Sequence, residues 1–254
     1  MKVVVTCGHP QSDYQTIHQM MVTSGLVDAG ENSEGSLNPQ ALQSKICKTY
    51  KLDAQYQDHV NQLVPGQFWS NAATDLFMGN LDNEYWGWAD SNSIHLLEHW
   101  RDYEDNVRFV LVYNSPNRAL AKALPFMPVD PESADQLTNS WLNYNDALLR
   151  FYYRNKERCV LINSDSKALK EGALSGLAEN QLSVDLQPSD TTELEVFKEH
   201  DRYTDIATLI STTLRAEFDD AESLYQELEA VADLPSQEPL DKDQLKISAW
   251  KQYS

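Results

Sequence analysis

The chain alternates short, mainly apolar runs with amphipathic stretches. Residues 2–6 (KVVVT) form a continuous Val run, the pattern of a strand buried on both faces. A Gly/Pro loop follows at 8–13. A helical stripe then runs over residues 14–26, with Ile17, Met20, Met21 and Val22 on one side. Ser12 or Asp13 is positioned to cap it. Residues 28–37 read as a polar loop. Asn38-Pro39 opens a helix over 40–50, a shorter one is expected at 53–63, and another at 68–80. Residues 81–88 lead into a short strand and turn, and 93–100 read as helical. Residues 107–113 (VRFVLVY) and 159–163 (CVLIN) are the other two clear strands. Between them lie a helix at 117–124, a Pro-rich loop at 125–132 and a long amphipathic helix at 133–156, with Leu137, Trp141, Tyr144, Leu148 and Phe151 as its stripe. Residues 169–181 read as helix and 184–186 as a short strand. Helices are expected at 203–215 and 221–232, and an extended tail over the last twenty residues.

Strands alternating with helices predict an α/β fold. The expected form is a three-layer, P-loop-like domain with a mainly parallel sheet over residues 1–200. Residues 201–254 are expected to form a helical C-terminal extension packed on it, its acidic helix at 217–229 also being a surface for self-association. Neither an internal repeat nor a low-complexity run interrupts this plan.

Composition narrows the class. The 254 residues are 41% hydrophobic, enough for a sizeable core. A net charge of −19 argues against a nucleic-acid backbone or an anionic membrane surface as partner. Its plain meaning is solubility. Three scattered cysteines, Cys7, Cys47 and Cys159, suggest neither a disulfide framework nor a zinc site. No apolar stretch follows a basic start and none is long enough to span a bilayer, so a cytoplasmic protein is expected. A homo-oligomer is left open.

Three segments carry candidate chemistry. The first is Gly8-His9-Pro10-Gln11-Ser12-Asp13-Tyr14, a strand–loop–helix junction of the kind that holds phosphate. It has no Lys or Arg, and Asp13 stands where a phosphate would lie. The second is Trp86-Gly87-Trp88-Ala89-Asp90, whose indoles either stack on a ligand ring or pack in the core. The third is Asn114-Ser115-Pro116-Asn117-Arg118, reaching Lys122, at the carboxyl end of a central strand. Arg118 and Lys122 are four apart on one helix face, suited to an anion or simply to solvent. His95 and His99 share that spacing, but no third metal ligand is evident, so no metal is expected.

In order and spacing these segments resemble the PAPS-dependent sulfotransferases, the bacterial branch in particular, over about residues 2–170. The family's G-x-P-R-S-G-T loop is matched by Gly8, Pro10 and Ser12. Its W-G-W-K-D-P-R segment is matched by Trp86, Trp88 and Asp90, and its R-x-P turn by Pro116. The resemblance implies transfer of a sulfuryl group from PAPS to a hydroxyl acceptor, a saccharide among the candidates. Gly8, Pro10, Gln11, Ser12, Asp13 and Tyr14 would hold the 5′-phosphosulfate. Asn114, Arg118 and Lys122 would hold the 3′-phosphate, and His9 or Asp90 would act as base.

The departures are systematic. The loop cation is Gln11, the loop Gly is Asp13, the 3′ Arg is Asn114 and the 3′ Ser is Lys122, while the middle segment carries Ala89 and Asn92 in place of Lys and Arg. Each charge-assisted phosphate contact contributes roughly 1.5–3 kcal/mol. PAPS binding is therefore expected to be weak or absent. The competing expectations are a catalytically inactive binding or assembly protein of the same fold, and an enzyme taking an uncharged or cationic ligand in the same cleft.

Overall fold

A computed structural model of the chain describes residues 1–32, 37–52, 60–128, 130–187 and 219–236. Five strands form one sheet in the order β2-β3-β1-β4-β5, and every paired neighbour is parallel. They are β1 (Lys2–Gly8), β2 (Val27–Asp28), β3 (Tyr85–Ala89), β4 (Val107–Tyr113) and β5 (Cys159–Asn163). The Val run of β1 lies at the centre because it buries both faces. Val3, Val5 and Cys7 join one core cluster, and Val4 joins the other.

Helices cover both faces, giving the expected α/β three-layer arrangement. On the first face lie α2 (Pro39–Tyr50), α3 (Gln67–Gly79), α4 (Leu97–Tyr103) and α6 (Pro131–Arg154). On the second lie α1 (Tyr14–Thr23), α7 (Lys167–Lys170) and α8 (Ala173–Leu177). The helix α5 (Pro116–Ala123) leaves the carboxyl end of β4 and contacts α6. The acidic helix α9 (Asp219–Val231) packs on α6, with Ala221 and Leu228 in the first core. The chain after it covers the edge of β5, where Asn163 N–H donates to Leu234 O and Asp233 N–H to Leu161 O.

Several local expectations are corrected. Asp28, expected to open a polar loop, instead joins Val27 in β2 by pairing with Gly87, as Val27 does with Trp86. His18 donates from Nε2 to Asp28 Oδ1 at 3.3 Å, and its Nδ1 lies 3.0 Å from Thr6 Oγ1. That chain of contacts ties α1 to β1 and β2. The expected helix at 93–100 is a 3₁₀ turn, Ser91–His95, followed by α4, because the Asp90 side chain accepts from Asn92 N–H and tightens the first turn. Residues 169–181 break into α7, α8 and a wide turn, Ala178–Leu182, at Gly172 with φ 80°. Val184 and Leu186 are buried with Asp185 exposed between them, and residues 184–186 pair with no strand among the described residues. Neither Ser12 nor Asp13 caps α1 with its side chain. Most of the helix expected at 53–63, all of that at 203–215, the boundary at residue 200 and most of the extended tail lie outside the described residues. None of the described helices is long and apolar enough to cross a membrane.

Candidate functional site

All three sequence segments end at the carboxyl edge of the sheet, where open α/β sheets bind ligands. Gly8 closes β1 because nothing larger fits there. A Cβ at Gly8 would lie 2.3 Å from Ser12 Oγ and 2.6 Å from Val112 O. The Ser12 side chain therefore folds back over Gly8, fully buried, and its hydroxyl finds no partner among the described residues.

Two of the loop's amides are spent within the loop. Ser12 N–H donates to His9 O at 2.8 Å, and Gln11 N–H donates to His9 Nδ1 at 3.3 Å. With Nδ1 accepting, His9 carries its proton on Nε2 and donates it to Ser140 Oγ of α6 at 3.3 Å. His9 is fully buried. Burial first, and the Lys122 charge second, lower its pKa to about 3. At neutral pH the ring is an uncharged strut between β1 and α6, and its lone pair is already engaged. Asn114, also buried, donates from Nδ2 to Gln11 O at 2.7 Å and pins the loop to the tip of β4.

The cations expected to hold phosphate have carboxylate partners. Lys122 Nζ makes a short ion pair with Asp13 Oδ1, the two side chains being only 14% and 15% exposed. Arg118 Nε lies 3.2 Å from Asp165 Oδ1. Asp13 has φ 61°, a left-handed conformation that Asp tolerates better than most residues, and it places the carboxylate toward α5 rather than over the amides of α1. Tyr14, the first residue of α1, is buried in the core of the second face.

Asp90 closes β3. It is 8% exposed, and it accepts from Gln43 Nε2 at 2.8 Å and from Asn92 N–H at 2.9 Å. Gln43 in turn accepts from Ser93 Oγ and Trp100 Nε1. Nearby, Tyr144 O–H donates to Ser91 O at 2.7 Å, which leaves the Cys7 thiol to donate to the Tyr144 oxygen at 3.1 Å. Burial, only partly offset by the Asn92 and Gln43 bonds, raises the Asp90 pKa from 3.8 to about 6. The folded chain thus holds this proton more tightly than the unfolded chain, so the contribution of Asp90 to stability falls as pH rises from about 4 to 6. The change is about 2–3 kcal/mol. Urea unfolding across that window should show the fall in the native chain and a correspondingly flatter profile in Asp90→Asn. Parallel profiles would show that Asp90 is not the titrating group.

Other expectations resolve into packing. Trp86 and Trp88 are fully buried, their rings 5.9 Å apart, against Phe77 and Trp100. His95 is buried, with Nδ1 3.3 Å from Asn61 O, and His99 lies beside Trp100 and Tyr103. Among the described residues no group of three His, Cys, Asp or Glu side chains is placed to share a metal ion.

The sequence reading missed several participants. Gln43 looked like an ordinary polar helix position, and Ser140 sat inside an amphipathic stripe. Glu229 of α9 reaches the tips of β4 and β5, accepting from Tyr113 O–H at 2.7 Å and Asn163 Nδ2 at 2.6 Å. Among the described residues the carboxyl edge therefore gathers four carboxylates: Asp13 after β1, Asp90 after β3, Asp165 after β5, and Glu229 across β4 and β5. Also missed is a cavity of about 190 Å³ beside Gln11, between the end of α5 and the start of α6.

No family model and no curated protein matches the chain. Among solved structures, a sulfotransferase domain from the curacin biosynthetic pathway is similar over 92% of this chain and 98% of its own, with a TM-score of 0.49 and 13% sequence identity.

Proposed function

We propose that this chain is a binding protein on a sulfotransferase-like frame, and that it does not use PAPS. The observation that carries the reading is the Lys122–Asp13 ion pair. It engages the cation nearest the loop and keeps a carboxylate beside the place where the resemblance would put a phosphate. Two loop amides are committed to His9, and Asn114 holds the loop shut. A phosphosulfate would have to displace the ion pair and enter beside Asp13. Each like-charge contact at a few ångströms opposes it by roughly 4 kcal/mol near a protein surface. His9, buried and with its lone pair taken, is not positioned to accept a proton from an acceptor hydroxyl.

Conventional sulfuryl transfer is the second reading, supported by the sequence resemblance and by the buried, elevated-pKa Asp90 as its base. The two separate on nucleotide affinity. Adenosine 3′,5′-bisphosphate at millimolar concentration should leave the melting temperature unchanged. A ligand present at a hundred times its Kd would add about 2.7 kcal/mol of stability, a rise of several degrees, and such a rise would overturn the proposal.

A further inference from the structure

The cavity beside Gln11 has an independent character from the strand tips. Its lining residues Ala123, Leu137 and Met127 belong to a small apolar cluster that Leu120 and Ala134 complete. Gln11, Ser133 and Gln136 supply its polar lining and Phe126, Met127 and Leu137 its apolar lining. In a chain of net charge −19, no ionised side chain lines it among the described residues. The Gln11 and Gln136 carboxamides come from different elements, and neither side-chain amide has a hydrogen-bond partner among the described residues. The Ser133 hydroxyl donates to Asp130 Oδ2 and keeps its acceptor side free. Phe126, 89% exposed, stands at the rim.

We infer that this cavity binds a neutral, polyhydroxylated small ring, a monosaccharide or the terminal sugar of a glycoside. Size comes first: about 190 Å³ falls below the roughly 300–1,000 Å³ of sites for drug-sized ligands and admits one small ring, not a nucleotide. Charge comes second. An ionised group would enter without a counter-charge and lose its hydration. Hydrogen-bond type comes third. A carboxamide both donates and accepts, and so does a sugar hydroxyl, so two carboxamides and a hydroxyl on separate elements suit a ring bearing several such groups. The Phe126 face and the Met127 and Leu137 side chains suit the C–H face of the same ring.

The inference deepens the proposed function and rests on it in one respect: the loop stays shut, so Gln11 stays on the cavity wall. Ligand-observed NMR on the full chain, with the methyl glycosides of glucose, galactose, mannose and xylose, tests it. At least one glycoside should bind with a millimolar Kd. Gln136→Leu and Phe126→Ala, both at exposed positions, should keep the native melting temperature and weaken that glycoside about tenfold or more, the loss of one good hydrogen bond or contact. Glucose 6-phosphate should bind at least as weakly as the variants do. The inference is overturned if none of the glycosides binds at tens of millimolar, if both variants bind unchanged, or if the phosphorylated sugar binds as well as the neutral one. Adenosine 3′,5′-bisphosphate on the same samples separates the two failures. Nucleotide binding removes the closed-loop reading, whereas absent glycoside binding with absent nucleotide binding removes only the cavity's assignment.

Discussion

Gly87→Val is expected to leave the chain unable to fold to a stable native state. Gly87 pairs with Val4 in the β1–β3 ladder. A Cβ there would lie 2.1 Å from Val4 O and 3.0 Å from Val4 C, both backbone atoms of the central strand. Neither can move without parting the sheet, because β1 is also paired with β4 on its other side. On either side of Gly87, Trp86 and Trp88 are fully buried, so the strand cannot shift outward without disturbing both indoles. The loss should exceed about 4 kcal/mol, in the range reserved for overpacking with backbone strain. Circular dichroism and the soluble yield of Gly87→Val read this. A folded variant melting within a few degrees of the native chain would show that β3 stands further from β1 than described.

Lys122→Met is expected to destabilise the chain by about 2–3 kcal/mol, below the 3–5 kcal/mol for a fully buried broken pair because both partners keep some solvent access. Methionine preserves most of the side-chain volume, so the cost comes from the Asp13 carboxylate left beside a neutral side chain. Asp13→Asn on that background removes the orphaned charge while keeping a residue that tolerates φ 61°. The double variant should recover to within about 1 kcal/mol of native, and the cycle isolates the pairwise energy. Chemical denaturation of the four chains measures it. Additive losses would mean that Lys122 and Asp13 do not act on each other.

Much of the frame was legible because it rests on short-range pattern. The short apolar runs of β1, β4 and β5, rich in Val and aromatics, fit strands buried on both faces, and the stripe from Leu137 to Phe151 fits a helix lying on a core. What was not legible depends on partners far away in the chain. β2 is two residues long, and it exists because Trp86 and Gly87 lie beside it. Asp90 turned an expected helix into a 3₁₀ turn by accepting from Asn92 at the head of the segment. The candidate site divides in the same way. That residues 8–14, 90 and 114–122 share one edge of the sheet followed from each standing at the carboxyl end of a strand. That Lys122 meets Asp13, 109 residues away, could not be read from Arg118 and Lys122 sharing a helix face, a spacing equally suited to a bound anion. Glu229 was read only as one charge of an acidic helix, since its role depends on where α9 docks.

The central claim is that the first loop is closed by its own ion pair. Titration calorimetry with adenosine 3′,5′-bisphosphate, run on the native chain and on Asp13→Gly, tests it most directly. Glycine suits the left-handed position and releases Lys122. The account predicts no saturable heat from the native chain at millimolar nucleotide, and saturable heat once Asp13 is gone. Saturable binding by the native chain at micromolar nucleotide would contradict it.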